Sequence, residues 1–291
     1  MTKTAWVFPG QGSQSVGMEA DLAALPEARA KFSQAEAILG WSVLELCQQE
    51  QVNRTLYTQP CLYVLENILA DLLRQQGHCP DVVAGHSLGE YVALTVAGVL
   101  EFETGLDLVK RRAELMDAAA GGRMAALMKF DREQLHQVLA EADVAVANDN
   151  SAEQIVISGT PEAVEKAMTQ VKAKRAVLLN VSGAFHSAGM ATPAQQFAAM
   201  LQTVAFADAK IPVLSNVDPQ PTQSGVELKE RLVQQMTGTV RWREIMLKLS
   251  EEEVSQAIEV GPGKVLTGLL KRTCKELELK NISDFTSLSS L

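Results

Sequence analysis

The sequence predicts an α/β protein with a parallel sheet and a smaller unit inserted into it. Short apolar strands at residues 5–8 and 81–84 each run into a glycine turn and then into helical sequence. Strand, tight glycine turn and helix in this order are typical of parallel α/β sheets. From Met124 onward the order of elements changes, which predicts the inserted unit.

The inserted unit alternates strands and helices in the order βαββαβ. Its predicted strands and helices, in chain order, are 124–130, 131–141, 144–147, 154–158, 161–172 and 176–181. This order is that of the split-βαβ, ferredoxin-like fold. We therefore predict a large domain of residues 1–122 and 188–291 and a ferredoxin-like small domain of residues 123–187.

The other elements of the large domain follow the same apolar patterns. Helical sequence fills the chain up to Gln76, and a further helix, 88–99, follows the second glycine turn. After the small domain, the predicted elements are a helix at 193–203, a strand at 212–215, helices at 226–236 and 242–250, a strand at 257–260 and a helix ending near 274.

Composition excludes several classes of partner. The chain has 291 residues and a net charge of −9, so it lacks an overall positive field for nucleic acid or an acidic membrane. The four cysteines, Cys47, Cys61, Cys79 and Cys274, show no CxxC spacing, which favours buried, reduced thiols and predicts no metal site. The longest nearly apolar run, 91–100, is half a membrane span. We expect a soluble, cytoplasmic, monomeric protein.

The second glycine turn carries a candidate nucleophile. Residues 85–89 read Gly-His-Ser-Leu-Gly, the G-x-S-x-G pattern in which flanking glycines let a strand turn sharply into a helix and expose the serine. The helix that follows directs its free N-terminal amides toward Ser87, where they would stabilise an oxyanion. A capping serine in a glycine-rich turn is the alternative interpretation.

A nucleophilic serine needs a base, and the chain has only four histidines. His86 should point away from Ser87, because side chains alternate along a strand end. His78 lies in a polar loop and His136 on a polar helix, which leaves His186, just after the small domain's last strand. Its orienting partner stays open: an acid such as Asp131, Asp143 or Asp149, or a main-chain carbonyl.

Helical phase separates two neighbouring arginines. In the helix around residues 106–116 the apolar positions step by three and four residues, so Arg111 faces solvent while Arg112 borders the apolar stripe. An arginine at the edge of a core needs an anionic partner, from the protein or from a substrate carboxylate.

Two other glycine motifs do not support nucleotide binding. The segment 10–15 lacks the third glycine of a dinucleotide fingerprint, and Gly261-Pro262-Gly263-Lys264 is followed by Val265 where a P-loop has Ser or Thr. The first motif can still present a main-chain amide near Gln11 at the carboxyl end of a strand, where open α/β sheets bind ligands.

Four motifs together, covering almost the whole chain, resemble the malonyl-CoA:acyl carrier protein transacylases of fatty acid synthesis, in the stand-alone bacterial form that includes the cyanobacterial one. They read FPGQGSQ (8–14), GHSLGE (85–90), GAFHS (183–187) and EVGPGKVL (259–266). The resemblance implies an α/β-hydrolase-like large domain with a ferredoxin-like small one.

The resemblance also implies residue roles. They are Ser87 as nucleophile, His186 as base, Arg112 as partner of the malonate carboxylate, the amides of Gln11 and Leu88 as oxyanion hole, and Gln235 as source of the carbonyl that orients His186. In related polyketide acyltransferases a phenylalanine before the histidine accompanies malonyl units, and the ring of Phe185 would leave no room for an added methyl group.

The implied reaction transfers malonyl from malonyl-CoA to acyl carrier protein, with the coenzyme A thioester as substrate and no cofactor. Because the chain and both substrates are anionic, local basic residues must meet the carrier, and Lys264, Lys271 and Arg272 are the candidates. The alternatives are a serine thioesterase or esterase on the same fold and a non-catalytic module that docks the carrier.

Overall fold

A computed structural model describes residues 2–141, 143–181 and 183–290. In these ranges the chain forms two sheets and the helices that pack on them. The strands are β1 (Thr4–Phe8), β2 (Val82–Gly85), β3 (Arg123–Phe130), β4 (Val144–Ser151), β5 (Gln154–Gly159), β6 (Ala173–Leu178), β7 (Val213–Leu214), β8 (Gln256–Val260) and β9 (Glu278–Ile282).

The helices lie mostly in the large domain. They are α1 (Pro26–Leu39), α2 (Val43–Cys47), α3 (Thr55–Gln75), α4 (Gly89–Val96), α5 (Phe102–Ala118), α6 (Arg132–Glu141), α7 (Pro161–Gln170), α8 (Ala191–Thr203), α9 (Gly225–Gln235), α10 (Trp242–Glu251) and α11 (Val265–Thr273). Within the described ranges, no helix has the length and apolar character that a membrane span requires.

The larger sheet is parallel, with strand order β7-β2-β1-β8-β9. Alternate residues of β1 face opposite sides: Trp6 and Phe8 pack on the layer that contains α3, α4 and α5, and Ala5 and Val7 pack on α10 and α11. Because both faces are covered, β1 is apolar and buried from Ala5 to Phe8. The carboxyl ends of β1 and β2 thus lie side by side at one edge.

The smaller sheet is antiparallel, with strand order β4-β5-β3-β6. Its elements follow one another as βαββαβ, which is the ferredoxin-like order. Leu127 and Ile157 pack from the sheet against Leu135 of α6 and Val164 of α7. Thr160 caps α7 by accepting the amide of Ala163, so the local sequence sets where that helix begins.

The fold class predicted from sequence is confirmed, with differences at particular strands. Strand β6 begins at Ala173 rather than 176 and ends at Leu178, because an edge strand pairs through its main chain even where its side chains are charged. Strand β4 extends to Ser151 through two irregularities in its pairing. Strand β9, another edge strand, carries too weak an apolar pattern to be predicted. The domain limits at 123 and 187 stay a prediction.

The four cysteines are free thiols in the structure. Three of them are buried, as expected, but Cys79 is exposed in the turn before β2. No cluster of metal-binding side chains occurs in the described part of the chain.

Candidate active site

Ser87 stands on a sharp turn between β2 and α4, with a left-handed φ of 53°. The turn requires its glycines. A Cβ on Gly85 would lie 1.9 Å from the carbonyl carbon of Gly89, and a Cβ on Gly89 would lie 2.1 Å from the main-chain oxygen of Phe8. Sequence and sterics together therefore hold the serine at the carboxyl edge of the sheet.

His186 is the histidine that meets Ser87. Its Nε2 lies 2.8 Å from Ser87 Oγ, and its Nδ1 donates to the main-chain oxygens of Gln235 at 2.9 Å and Gly238 at 3.1 Å. The partner left open by the sequence is thus a pair of carbonyls. Of the three acids considered, Asp149 instead pairs with Arg132 and Arg243.

Burial, and secondly the positive charge of Arg112, lower the pKa of His186 to about 3. The imidazole is therefore neutral at neutral pH. With Nδ1 protonated and directed at carbonyls, Nε2 presents its lone pair to the serine hydroxyl, which is the tautomer that a general base needs.

Arg112 is buried in the same site, whereas Arg111 is exposed and pairs with Glu114. The Arg112 guanidinium donates from Nη1 to Gln59 Oε1 at 2.6 Å, and from Nη2 to Ser87 Oγ at 2.9 Å and Gln235 Oε1 at 3.1 Å. It also lies 5.4 Å from the centroid of the Tyr91 ring. Within the described residues no carboxylate forms an ion pair with it.

Gln11 and Leu88 line the cleft above Ser87, together with Phe185, which is buried. In the described ranges, the main-chain amides of Gln11 and Leu88 have no hydrogen-bond acceptor. Free amides at a nucleophile are the donors that an oxyanion needs. The cleft encloses about 80 Å³, which suits a small acyl group.

Three polar residues of the site were not anticipated from the sequence. Asn216 accepts the Ser87 amide at 2.7 Å through Oδ1 and donates to the Gly85 carbonyl at 2.6 Å. Gln59, which binds Arg112, and Glu90 are both buried. The local sequence does not single out Gln59, because it follows the polar Thr58 near the start of α3, and nothing nearby indicates its partner.

The remaining histidines lie elsewhere. The ring of His86 points away from Ser87 and donates from Nε2 to Asn150 Oδ1 at 2.9 Å, as the alternation of side chains predicted. His136 is exposed on α6, and His78 is half-buried in its loop.

The three basic candidates for carrier docking are all exposed, at or on α11. Val265 and Leu269 of this helix line a second cleft, which shares Gln11 with the first. Arg272 follows Val265 by seven residues and so occupies nearly the same helix face, whereas Lys271 is turned aside.

The fold and the site together are those expected of an acyltransferase: a serine on a strand-to-helix turn, a neutral histidine beside it, and a buried arginine with no carboxylate partner among the described residues. The acyl transferase domain family matches residues 5–291. The chain belongs to the malonyl-CoA:acyl carrier protein transacylases. It is 62% identical to the Synechocystis malonyl CoA-acyl carrier protein transacylase over 99% of this chain and 100% of that one. With the Escherichia coli K12 enzyme it shares 39% identity, over 100% of this chain and 99% of that one.

Solved structures agree with these relatives. The crystal structure of the Synechocystis transacylase superposes with a TM-score of 0.98 and covers 99% of this chain and 100% of its own. A malonyl-transacylase solved in complex with a type II polyketide acyl carrier protein has a TM-score of 0.95 at 39% identity, covering 99% of this chain and 98% of its own.

Proposed function

We propose that the chain transfers the malonyl group of malonyl-CoA to the phosphopantetheine thiol of acyl carrier protein, through a malonyl ester of Ser87, and so supplies extender units for fatty acid biosynthesis. One observation carries the choice of acyl group. The buried Arg112 places Nη2 2.9 Å from Ser87 Oγ and has no carboxylate partner among the described residues, so it is available to a substrate carboxylate beside the nucleophile.

In the first half-reaction, His186 Nε2 takes the Ser87 proton as Oγ attacks the thioester carbonyl. The amides of Gln11 and Leu88 donate to the oxyanion. The tetrahedral intermediate collapses with loss of the coenzyme A thiolate, which takes the proton from His186.

The second half-reaction repeats these steps with a different thiol. The carrier's phosphopantetheine thiol gives its proton to His186, and its sulfur attacks the malonyl ester. The carbon–oxygen bond to Ser87 breaks and Oγ regains the proton from His186. Ser87 and His186 supply both nucleophile and base, so we expect no cofactor.

Arg112 and Phe185 set acyl selectivity in this proposal. A malonyl carboxylate satisfies the guanidinium, whereas an acetyl group leaves it unpaired, which is costly in a buried site. The ring of Phe185 fills the space that a methyl group on the α-carbon would take.

The two alternatives are less favoured. A thioesterase would pass the acyl group to water, whereas the relatives named above are transacylases. A non-catalytic docking module would not need a serine and a histidine 2.8 Å apart. We further propose that the protein acts in the cytoplasm as a monomer and meets its carrier through Lys264, Lys271 or Arg272.

Intact-protein mass spectrometry after mixing with malonyl-CoA tests the malonyl-serine step of this function, and the rate of transfer to acyl carrier protein compared with hydrolysis separates it from a thioesterase. The chain should gain the mass of one malonyl group, and Ser87→Ala should gain none because it has no oxygen to acylate. Ser255→Ala, a change at an exposed serine, serves as the control and should react like the unmodified chain. A malonyl adduct that persists in Ser87→Ala would refute the assignment.

A further inference from the structure

Glu90 is a buried acid in α4 that the mechanism above does not use. Its Oε2 accepts two N–H donors, Gln235 Nε2 at 2.8 Å and the Asn216 amide at 3.2 Å. Its Oε1 is buried with no partner among the described residues. The two N–H donors on Oε2 form the environment of a carboxylate rather than a carboxylic acid.

The side chain of Gln235 separates this acid from Arg112. Its Oε1 accepts from Arg112 Nη2 at 3.1 Å, while its Nε2 donates to Glu90 Oε2 at 2.8 Å and to the Ser87 carbonyl at 2.8 Å. One amide therefore stands between a buried guanidinium and a buried carboxyl. The acid is close enough for its charge to act on Arg112 but does not occupy the donors of the guanidinium.

A buried arginine needs a compensating charge, because desolvation of an uncompensated ion is costly. Burial raises the pKa of Glu90, while hydrogen bonds with Gln235, Asn216 and Ser215, and then the charge of Arg112, oppose that rise. A carboxylate in direct contact with Arg112 would meet the same need, but it would compete with any substrate carboxylate for the same donors.

We propose that Glu90 is the counter-charge of Arg112, held one amide away so that the guanidinium stays open to the substrate carboxylate. Glu90 touches no substrate in this arrangement and acts through Gln235 as a positioning residue. Its charge limits how strongly the site attracts a second anion. The inference rests on the proposed function, in which Arg112 binds the malonyl carboxylate.

Two substitutions test the proposal, and each exchanges a carboxyl group and an amide of nearly the same shape. One removes a negative charge near Arg112 and the other adds one. Glu90→Gln keeps an acceptor oxygen for Gln235 and Asn216 but removes the charge. Gln59→Glu puts a carboxylate directly against Arg112 Nη1, where the amide oxygen now lies at 2.6 Å. The readout is the ratio of kcat/KM for malonyl-CoA to that for acetyl-CoA. The oxyanion is common to both substrates, so the ratio reports on the carboxylate alone.

Glu90→Gln should raise this ratio at least roughly threefold, because it removes a repulsion between two anions in a low-dielectric site. Gln59→Glu should lower it at least roughly tenfold, because the new carboxylate occupies the guanidinium. Glu66→Gln is the control for the same change at another buried acid: Glu66 of α3 forms no hydrogen bond with Arg112 in the described ranges, and its replacement should leave the ratio unchanged.

An unchanged or lowered ratio in Glu90→Gln overturns the proposal, and so does an unchanged ratio in Gln59→Glu, which stays informative if Glu90→Gln does not fold. Arg112→Ala, with the exposed Arg111→Ala as its control, separates the two levels of inference. Loss of malonyl transfer without loss of acetyl transfer in Arg112→Ala supports the proposed function. Equal losses in that variant refute the role of Arg112 itself, whatever Glu90→Gln does.

Discussion

At the residue scale, the surroundings of His186 decide how the protein responds to pH. Burial and, secondly, the positive charge of Arg112 disfavour the protonated ring. They outweigh the hydrogen bonds from Nδ1 to two carbonyls, which favour it, so the pKa of His186 is lowered to about 3. The active form of a general base is the neutral one. A lowered pKa therefore moves the loss of activity to more acidic pH.

The rate of malonyl-enzyme formation should accordingly change little between about pH 8 and pH 5, where an ordinary histidine of pKa near 6.5 would become protonated. Rapid-quench measurement of the acyl-enzyme across this range checks the expectation. An acid limb with a midpoint near the ordinary histidine value would mean that substrate binding exposes His186 to solvent or that another group limits the reaction.

At the scale of elements, the junction of β2 and α4 is the most constrained part of the fold. Three chain segments meet there, because Gly85 contacts Gly89 and Gly89 contacts Phe8 at the end of β1. The side chain of Asn216, from the segment after β7, stabilises the turn by hydrogen bonding to both the Gly85 carbonyl and the Ser87 amide. The left-handed φ of Ser87 is thus maintained by packing rather than by the preference of serine.

Gly85→Ala should therefore destabilise the fold by roughly 1 to 3 kcal/mol or more, as overpacking does, and slow acylation because the turn must open. Thermal or denaturant unfolding together with the acyl-enzyme assay measures both effects. Gly268→Ala in α11 is the control: a Cβ there meets no atom within 4 Å, and alanine should stabilise the helix by about 0.5 to 1 kcal/mol. Similar effects of the two changes would contradict the steric explanation.

At the scale of the whole molecule, strand β4 provides contacts between the small domain and the large one. Asp149 of β4 pairs with Arg132 of α6 and with Arg243 of α10, and Thr239 Oγ1 donates to the Val146 carbonyl at 2.7 Å. Residues 238–243, which provide Thr239 and Arg243 for these contacts, also include Gly238, whose carbonyl accepts a hydrogen bond from His186 Nδ1. The contact between the two sheets' domains therefore also helps to position His186.

Carrier docking belongs to this scale. None of Lys264, Lys271 and Arg272 pairs with an acid in the part of the chain that the structure describes, so all three are free to meet an anionic protein. Reversing the charge of Lys271 and Arg272 together should raise the KM for acyl carrier protein by roughly three- to tenfold and flatten its salt dependence. Steady-state kinetics at several ionic strengths measures both.

Arg29→Glu is a suitable control for this experiment, because Arg29 is an exposed cation on α1, which packs on α3 and α5 instead of α11. It should leave the KM unchanged. If the KM for acyl carrier protein keeps its salt dependence after the double reversal, the docking face lies elsewhere. If the carrier binds the helix face that Arg272 shares with Val265, reversal of Arg272 alone should account for most of the effect.

Much of the fold could be predicted because its signals are local. The apolar runs and glycine turns indicate β1, β2 and the serine elbow, and the change of pattern indicates the βαββαβ unit. Helical phase alone separated the buried Arg112 from the exposed Arg111, and elimination among four histidines selected His186, which lies 2.8 Å from Ser87. Edge strand β9 was not predicted, because its side chains are mostly polar and its pairing is made by the main chain.

The sequence by itself determined which residues could do chemistry: a serine between glycines, a histidine after the small domain and an arginine at the border of an apolar stripe. Only the tertiary structure decided what holds them. Asn216 reaches Ser87 across 129 positions, and Gln235 reaches it across 148. Such distant partners leave no local pattern in the sequence, because a side-chain amide can both donate and accept and so can pair with any polar group that folding brings near it. The long stretch of chain between two partners adds little to the cost of bringing them together, so it need not have a particular sequence.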